Sequence, residues 1–98
     1  MSQYMIDISL PTEPDGEFYA LIPNQRTHIN QLLAEGVVME YSLSFDRSKL
    51  WIVLNARNEQ DAIEILSAFP LFRYFEMTIY PLMFHNASVM ALNRMSMN

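Results

Sequence analysis

The side chains that could move a proton in this sequence are few. They are two carboxylates on strand-like segments, Asp7 in "YMIDISL" (4–10) and Glu40 in "VVMEYSLSFD" (37–46), and two histidines, His28 and His85. General acid–base chemistry needs one group of suitable pKa and a donor or cation where negative charge develops. Glu40 is the candidate base. Asp7 falls on the same face by alternation, and two carboxylates sharing a pocket push one pKa upward. The competing reading leaves Glu40 solvated on a half-exposed strand. His28, in "QRTHINQLL", either turns toward a pocket mouth or stays on a helix surface. Other chemistries lack their parts. Cysteine is absent, which removes thiolate nucleophiles, disulfides and cysteine zinc sites. No HxxxH or HExxH spacing supports a metal site. Ser42 and Ser44 have no nucleophile-elbow context. Gly16 and Gly36 are the two glycines, too few for a phosphate cradle. No cofactor and no metal are expected.

The totals bound the rest. The chain has 98 residues, 51 % of them apolar, which predicts a single folded domain over 1–98. Its net charge is −5, from 11 acidic and 6 basic residues, the wrong balance for neutralising phosphates. Nucleic acid is therefore not an expected partner. The longest apolar runs, such as "LWIVL", fall far short of the ~20 residues of a membrane span. The start "MSQYMIDISL" lacks the basic and apolar regions of a signal peptide. A cytoplasmic location is expected.

The elements that must position these groups read as strand, helix, strand, strand, helix, strand. Tyr4, Ile6, Ile8 and Leu10 alternate with Met5, Asp7 and Ser9, the signature of a strand. Thr12 and Asp15 resemble a capping box for a helix carrying Phe18, Leu21, Ile22, Ile29, Leu32 and Leu33 and ending at Gly36. Pro23 inside that span predicts a kink or two abutting pieces. In 37–46, Val37, Met39, Tyr41, Leu43 and Phe45 make one face and Val38, Glu40, Ser42 and Ser44 the other. "LWIVLNA" (50–56) should be a central strand, and Asn58 should cap a helix buried through Ala62, Ile63, Ile65, Leu66 and Phe69. "EMTIYPLMF" (76–84) is the last strand, and Pro81 puts it at an edge or at a bulge. This is the α+β, ferredoxin-like βαββαβ order, with a four-stranded antiparallel sheet covered by helices on one face. The other face would carry Asp7, Glu40, Trp51, Tyr80, Leu82 and Phe84, too apolar to remain in water. A second copy of the same sheet is the expected cover.

The segment "LSAFPLFRYFEMTIYPLMFHNAS" resembles the closing part of the muconolactone isomerases, with a helix ending in Pro-Leu-Phe, an aromatic residue and an acidic strand start. "LLAEG" (32–36) fits the same family, and the likeness runs without a gap from Glu35 to Ser88. The resemblance implies sheets paired face to face as a dimeric α+β barrel, larger rings of dimers, and a cofactor-free proton shift in an unsaturated lactone. It implies that Leu71, Phe72 and Phe75 plug the barrel end, and that His85 matches a family position after the last strand. There His85 is either a proton carrier or a hydrogen-bonded hinge for the tail. Glu40 stands where the family carries histidine and Leu43 where it carries arginine, so the cation that a lactone carboxylate would want is missing from that strand.

From the residues and the resemblance together, the expected activity is a cofactor-free isomerase acting on a small unsaturated lactone or organic acid. Glu40 is the base, Asp7, His28 and His85 are possible assistants, and Ser42, Trp51, Tyr80 and Phe84 form the substrate wall. The alternatives are a non-catalytic oligomer that binds a small ligand or only assembles, and a cofactor-free oxygenase on the same barrel. Residues 86–98 carry an apolar stripe too short to hold a helix alone, which predicts an arm packed across a subunit boundary.

Overall fold

The alternation of the first residues becomes strand β1 (Ser2–Ser9), with Tyr4, Ile6 and Ile8 buried beneath the helices. This is a computed structural model, and it describes residues 1–83; Phe84, His85 and the 86–98 arm lie outside the described residues. Helix α1 (Gly16–Glu35) starts at Asp15, whose carboxylate accepts the Phe18 N–H at 2.8 Å. Thr12 is not the cap. A cap there would make Glu13 helical, and a residue preceding proline disfavours that conformation. The helix ends at Gly36, where φ is 75° and the N–H reaches the Leu32 and Leu33 carbonyls. Only glycine adopts that left-handed geometry without cost. Of the two outcomes expected at Pro23, two abutting pieces do not form: α1 runs through it as one helix of 20 residues. Pro23 and Tyr19 are both exposed, so the Tyr19 carbonyl that loses its partner faces water.

Strands β2 (Val38–Leu43), β3 (Lys49–Ala56) and β4 (Glu76–Leu82) complete an antiparallel sheet in the order β2-β3-β1-β4. The register of β2 shifts between Val38 and Glu40, a bulge that absorbs Met39. Val38 therefore pairs with Leu54 and is buried on the helix side, not on the open face where unbroken alternation would put it. Downstream of the bulge the expected phase holds: Tyr41 faces the helices opposite Ile52, and Ser42 faces outward opposite Trp51.

Helix α2 (Glu59–Ser67) is capped by Asn58, which accepts the Asp61 N–H at 2.8 Å, and it buries Ala62 and Leu66. Phe69 follows in the core, and after Pro70 a single 3-10 turn (Phe72–Tyr74) leads into β4. Pro81 lies on this edge strand opposite Tyr4, where a missing N–H is tolerated. The core sits between helices and sheet around Ile6, Ile8, Leu50, Ile52, Leu54 and Leu66. Each such side chain contributes about 1.5–3 kcal/mol by leaving water. No helix among the described residues is long and apolar enough to cross a membrane.

Candidate functional site

The sheet separates two chemically distinct regions. On the open face, one row across the strands reads Glu40, Val53, Met5, Tyr80, and the next reads Ser42, Trp51, Asp7, Thr78. Trp51 and Tyr80 are 38 % and 50 % exposed, so this face is both aromatic and wet in the single chain. Asp7 and Glu40 stand two strands apart on this face. Asp7 Oδ1 lies 2.6 Å from Lys49 Nζ and has no other hydrogen-bond donor among the described residues. The ammonium also donates to Ser9 Oγ at 3.2 Å. Both members of this ion pair are about one-third exposed, at 34 % for Lys49 and 36 % for Asp7, so screening keeps its contribution small.

On the helix side, α1 and the β2–β3 hairpin enclose a cleft of about 480 Å³, a size suited to a small organic molecule. Phe18, Ile22, Leu43, Leu50 and Leu71 give it apolar walls, and Gln25, Tyr41, Arg26 and Arg47 give it polar groups. Gln25 is 3 % exposed, the one buried polar side chain among the described residues. Its Oε1 accepts the buried Leu71 N–H at 3.1 Å, and its Nε2 donates to the Tyr41 hydroxyl oxygen at 3.4 Å. Burial pushes the Tyr41 phenol above its ordinary pKa, an effect that the Gln25 bond partly opposes. Tyr41 therefore stays protonated at neutral pH.

The hairpin that forms the cleft lip is clasped by Asp46. Its Oδ1 accepts the Ser48 N–H at 3.0 Å and the hydroxyls of Ser48 and Ser44 at 2.7 and 2.8 Å. These bonds hold the Asp46 carboxyl at about 2, so it is a poor proton acceptor. Arg47 follows with φ 63°, a left-handed backbone that side-chain-bearing residues seldom adopt. Strain of this kind gathers at functional positions. Arg47 also lines the cleft.

The segment after α2 is tied to α1 and its cap three times. Leu71 bonds Gln25, and the Tyr74 hydroxyl donates to Asp15 Oδ1 at 3.0 Å. Arg73 donates to the Tyr74 oxygen at 2.7 Å and lies 2.6 Å from Glu17. Pro-Leu-Phe thus brings a backbone donor to the cleft floor, while Phe72 and Phe75 pack against the core.

Of the residues singled out from sequence, Glu40, Asp7, Ser42, Trp51 and Tyr80 share the open face. His28 does not join them. It lies in the helix layer with its ring 5.1 Å from that of Phe69 and its Nε2 buried without a hydrogen-bond partner among the described residues. Phe84 and His85 lie outside the described residues. Among those described, no group of three His, Asp or Glu side chains is arranged to hold a metal ion. Sequence reading missed Lys49, Gln25, Tyr41, Arg26 and Arg47 as site residues. Lys49 extends the Trp51, Val53 parity one step upstream. Gln25 is a polar residue on the helical stripe of Phe18, Ile22, Ile29 and Leu32, a visible irregularity.

Comparison with known proteins decides the family. The family model described as muconolactone delta-isomerase matches residues 3–88. The chain belongs to that family. The crystal structure of a muconolactone isomerase superposes with a TM-score of 0.70 at 18 % identity, covering 89 % of this chain and 94 % of that one. A 5-chloro-2-hydroxyhydroquinone dehydrochlorinase from Burkholderia phenoliruptrix, solved with 2,5-dihydroxybenzoquinone, gives a TM-score of 0.59 at 11 % identity. It covers 86 % of this chain and 95 % of that one. At these identities the two structures establish the shared fold of the muconolactone delta-isomerase family. No curated protein matches the chain in sequence.

Proposed function

We propose that this chain binds a small unsaturated lactone or organic acid in the helix-side cleft, without a cofactor. The observation that carries this reading is the Tyr41–Gln25 pair at the floor of an apolar cleft whose lining also includes two arginines. A carboxylate entering there meets Arg26 and Arg47, the side chains best matched to it. The lactone carbonyl oxygen meets a phenol kept protonated by burial, a hydrogen-bond donor suited to it. Arg26 and Arg47 stand in for the cation that β2 lacks. A second reading shifts a proton within such a ligand, with Glu40 as the base read from sequence, but Glu40 does not face the cleft. It neighbours Tyr41 on β2 and so projects to the opposite side of the sheet, where a second copy closing over Trp51 and Tyr80 would have to complete its surroundings.

That separation favours ligand binding without turnover. Asp46 is the carboxylate lining the cleft, and at about 2 it is too weakly basic to abstract a carbon-bound proton. The two readings part in one experiment. Muconolactone is incubated with the protein in deuterium oxide and followed by proton NMR. The isomerase reading expects deuterium uptake and a shifted double bond, both abolished in Glu40→Gln with the fold and assembly intact. Binding of muconolactone with no exchange in the wild type removes the isomerase reading and leaves ligand binding. Turnover that survives in Glu40→Gln removes Glu40 as the base.

A further inference from the structure

A buried amide can be oriented by a neighbour that is able only to donate, and Gln25 has such a neighbour. The Leu71 backbone N–H, itself buried, has no acceptor role and must meet an oxygen. At 3.1 Å it meets Gln25 Oε1, which turns Gln25 Nε2 toward Tyr41. Nε2 is also a donor only, so at 3.4 Å the Tyr41 oxygen has to accept. A phenol that accepts from the protein keeps its own hydrogen for another partner, and Tyr41 lines the cleft. We propose that Gln25 is a positioning residue whose fixed amide makes Tyr41 a hydrogen-bond donor into the cleft, so that the site selects ligands carrying an acceptor oxygen, a ring carbonyl, beside their carboxylate. The inference deepens the cleft reading and rests on it.

The relay runs from backbone to ligand in one direction. Leu71 N–H donates to Gln25, Gln25 donates to Tyr41, and Tyr41 donates to the ligand. Reversing one link reverses the last. In Gln25→Glu, one carboxylate oxygen still accepts from Leu71, but the other can only accept from Tyr41. The phenol hydrogen then points away from the cleft, and the ligand meets an oxygen lone pair. The exchange of amide for carboxylate keeps the size and shape of the side chain and changes the polarity of the relay.

The test uses two anions of one frame, 2-oxocyclopentylacetate and cyclopentylacetate, which differ in a ring carbonyl. Calorimetric titration of each gives an affinity ratio in which the common charge cancels. That ratio responds to the donor and not to the overall health of the fold. Wild type should favour the ketone by about fivefold, the worth of one neutral hydrogen bond. The ratio should fall to about one or below in Gln25→Glu, and to about one in Tyr41→Phe, where the donor is gone. Should Gln25→Glu fail to fold, Gln25→Met answers the same question, since it removes the donation to Tyr41 and should also lower the ratio. An undiminished preference in any folded Gln25 variant overturns the relay while leaving the cleft reading intact. Wild type that binds neither compound overturns the cleft reading and the relay with it.

Discussion

Gln25→Leu removes the buried amide while keeping most of its volume, and its cost can be worked from two contacts. The Leu71 N–H loses its acceptor, Gln25 Oε1 at 3.1 Å, at a position where Leu71 is 5 % exposed. An orphaned buried donor costs about 1–3 kcal/mol. Tyr41 loses a longer bond, 3.4 Å, but its hydroxyl can turn to water in the cleft, so its share is smaller. Replacing an amide by an apolar side chain in a buried site offsets part of this loss. The net expectation is about 2 kcal/mol of destabilisation, or a fall in Tm of about 10 °C for a domain of this size. Thermal unfolding followed by circular dichroism reads the total. Hydrogen exchange reads the cause, because the Leu71 amide should lose protection more than its neighbours. A Tm within about 2 °C of wild type together with unchanged Leu71 protection would refute the network, since an orphaned buried donor cannot be that cheap.

Three further outcomes follow from the same geometry. Trp51→Glu puts a charge on the aromatic open face; light scattering should report at least a dimer for wild type and a smaller species for the variant, and a monomeric wild type would remove the paired-sheet assembly. Asp46 has a depressed pKa, so its clasp on the hairpin is in full force above the ordinary 3.8 and is lost as pH falls through about 2. Asp46→Asn should therefore flatten the acid limb of an unfolding titration in that window, and an unaltered limb would contradict the clasp. Arg47→Gly relieves a left-handed backbone at φ 63° and should raise stability by up to about 1 kcal/mol while weakening binding of an anionic ligand, two opposed effects measurable on one sample.

The fold was largely legible in the sequence because its signals are local. Alternation marked the strands, Asn58 and Gly36 marked a helix start and a helix end, and Pro81 marked the edge strand. What escaped was what a single residue can displace. The bulge at Met39 moved Val38 to the core, and no period-two pattern announces an extra residue. The capping pattern at Thr12 was overruled by Pro14, and the split into two pieces at Pro23 by its exposure to water. The open face was likewise readable, since Asp7, Glu40, Ser42, Trp51 and Tyr80 follow from parity alone. The cleft was not. It depends on where a loop after α2 returns to α1, and the contact between Leu71 and Gln25 joins residues 46 positions apart. A polar residue on an apolar helical stripe was the visible trace of it.

The central claim is that a small organic acid binds on the helix side of the sheet and not on its open aromatic face. A titration of the uniformly nitrogen-15-labelled protein with muconolactone, read by two-dimensional NMR, separates the two faces with native reporters. The Leu71 amide, bonded to Gln25, and the Arg47 amide at the lip report on the cleft. The Trp51 indole N–H, from the single tryptophan, reports on the open face. The account predicts saturable shifts at Leu71 and Arg47 with the Trp51 indole signal unmoved. Shifts at the Trp51 indole with Leu71 and Arg47 unmoved would contradict it.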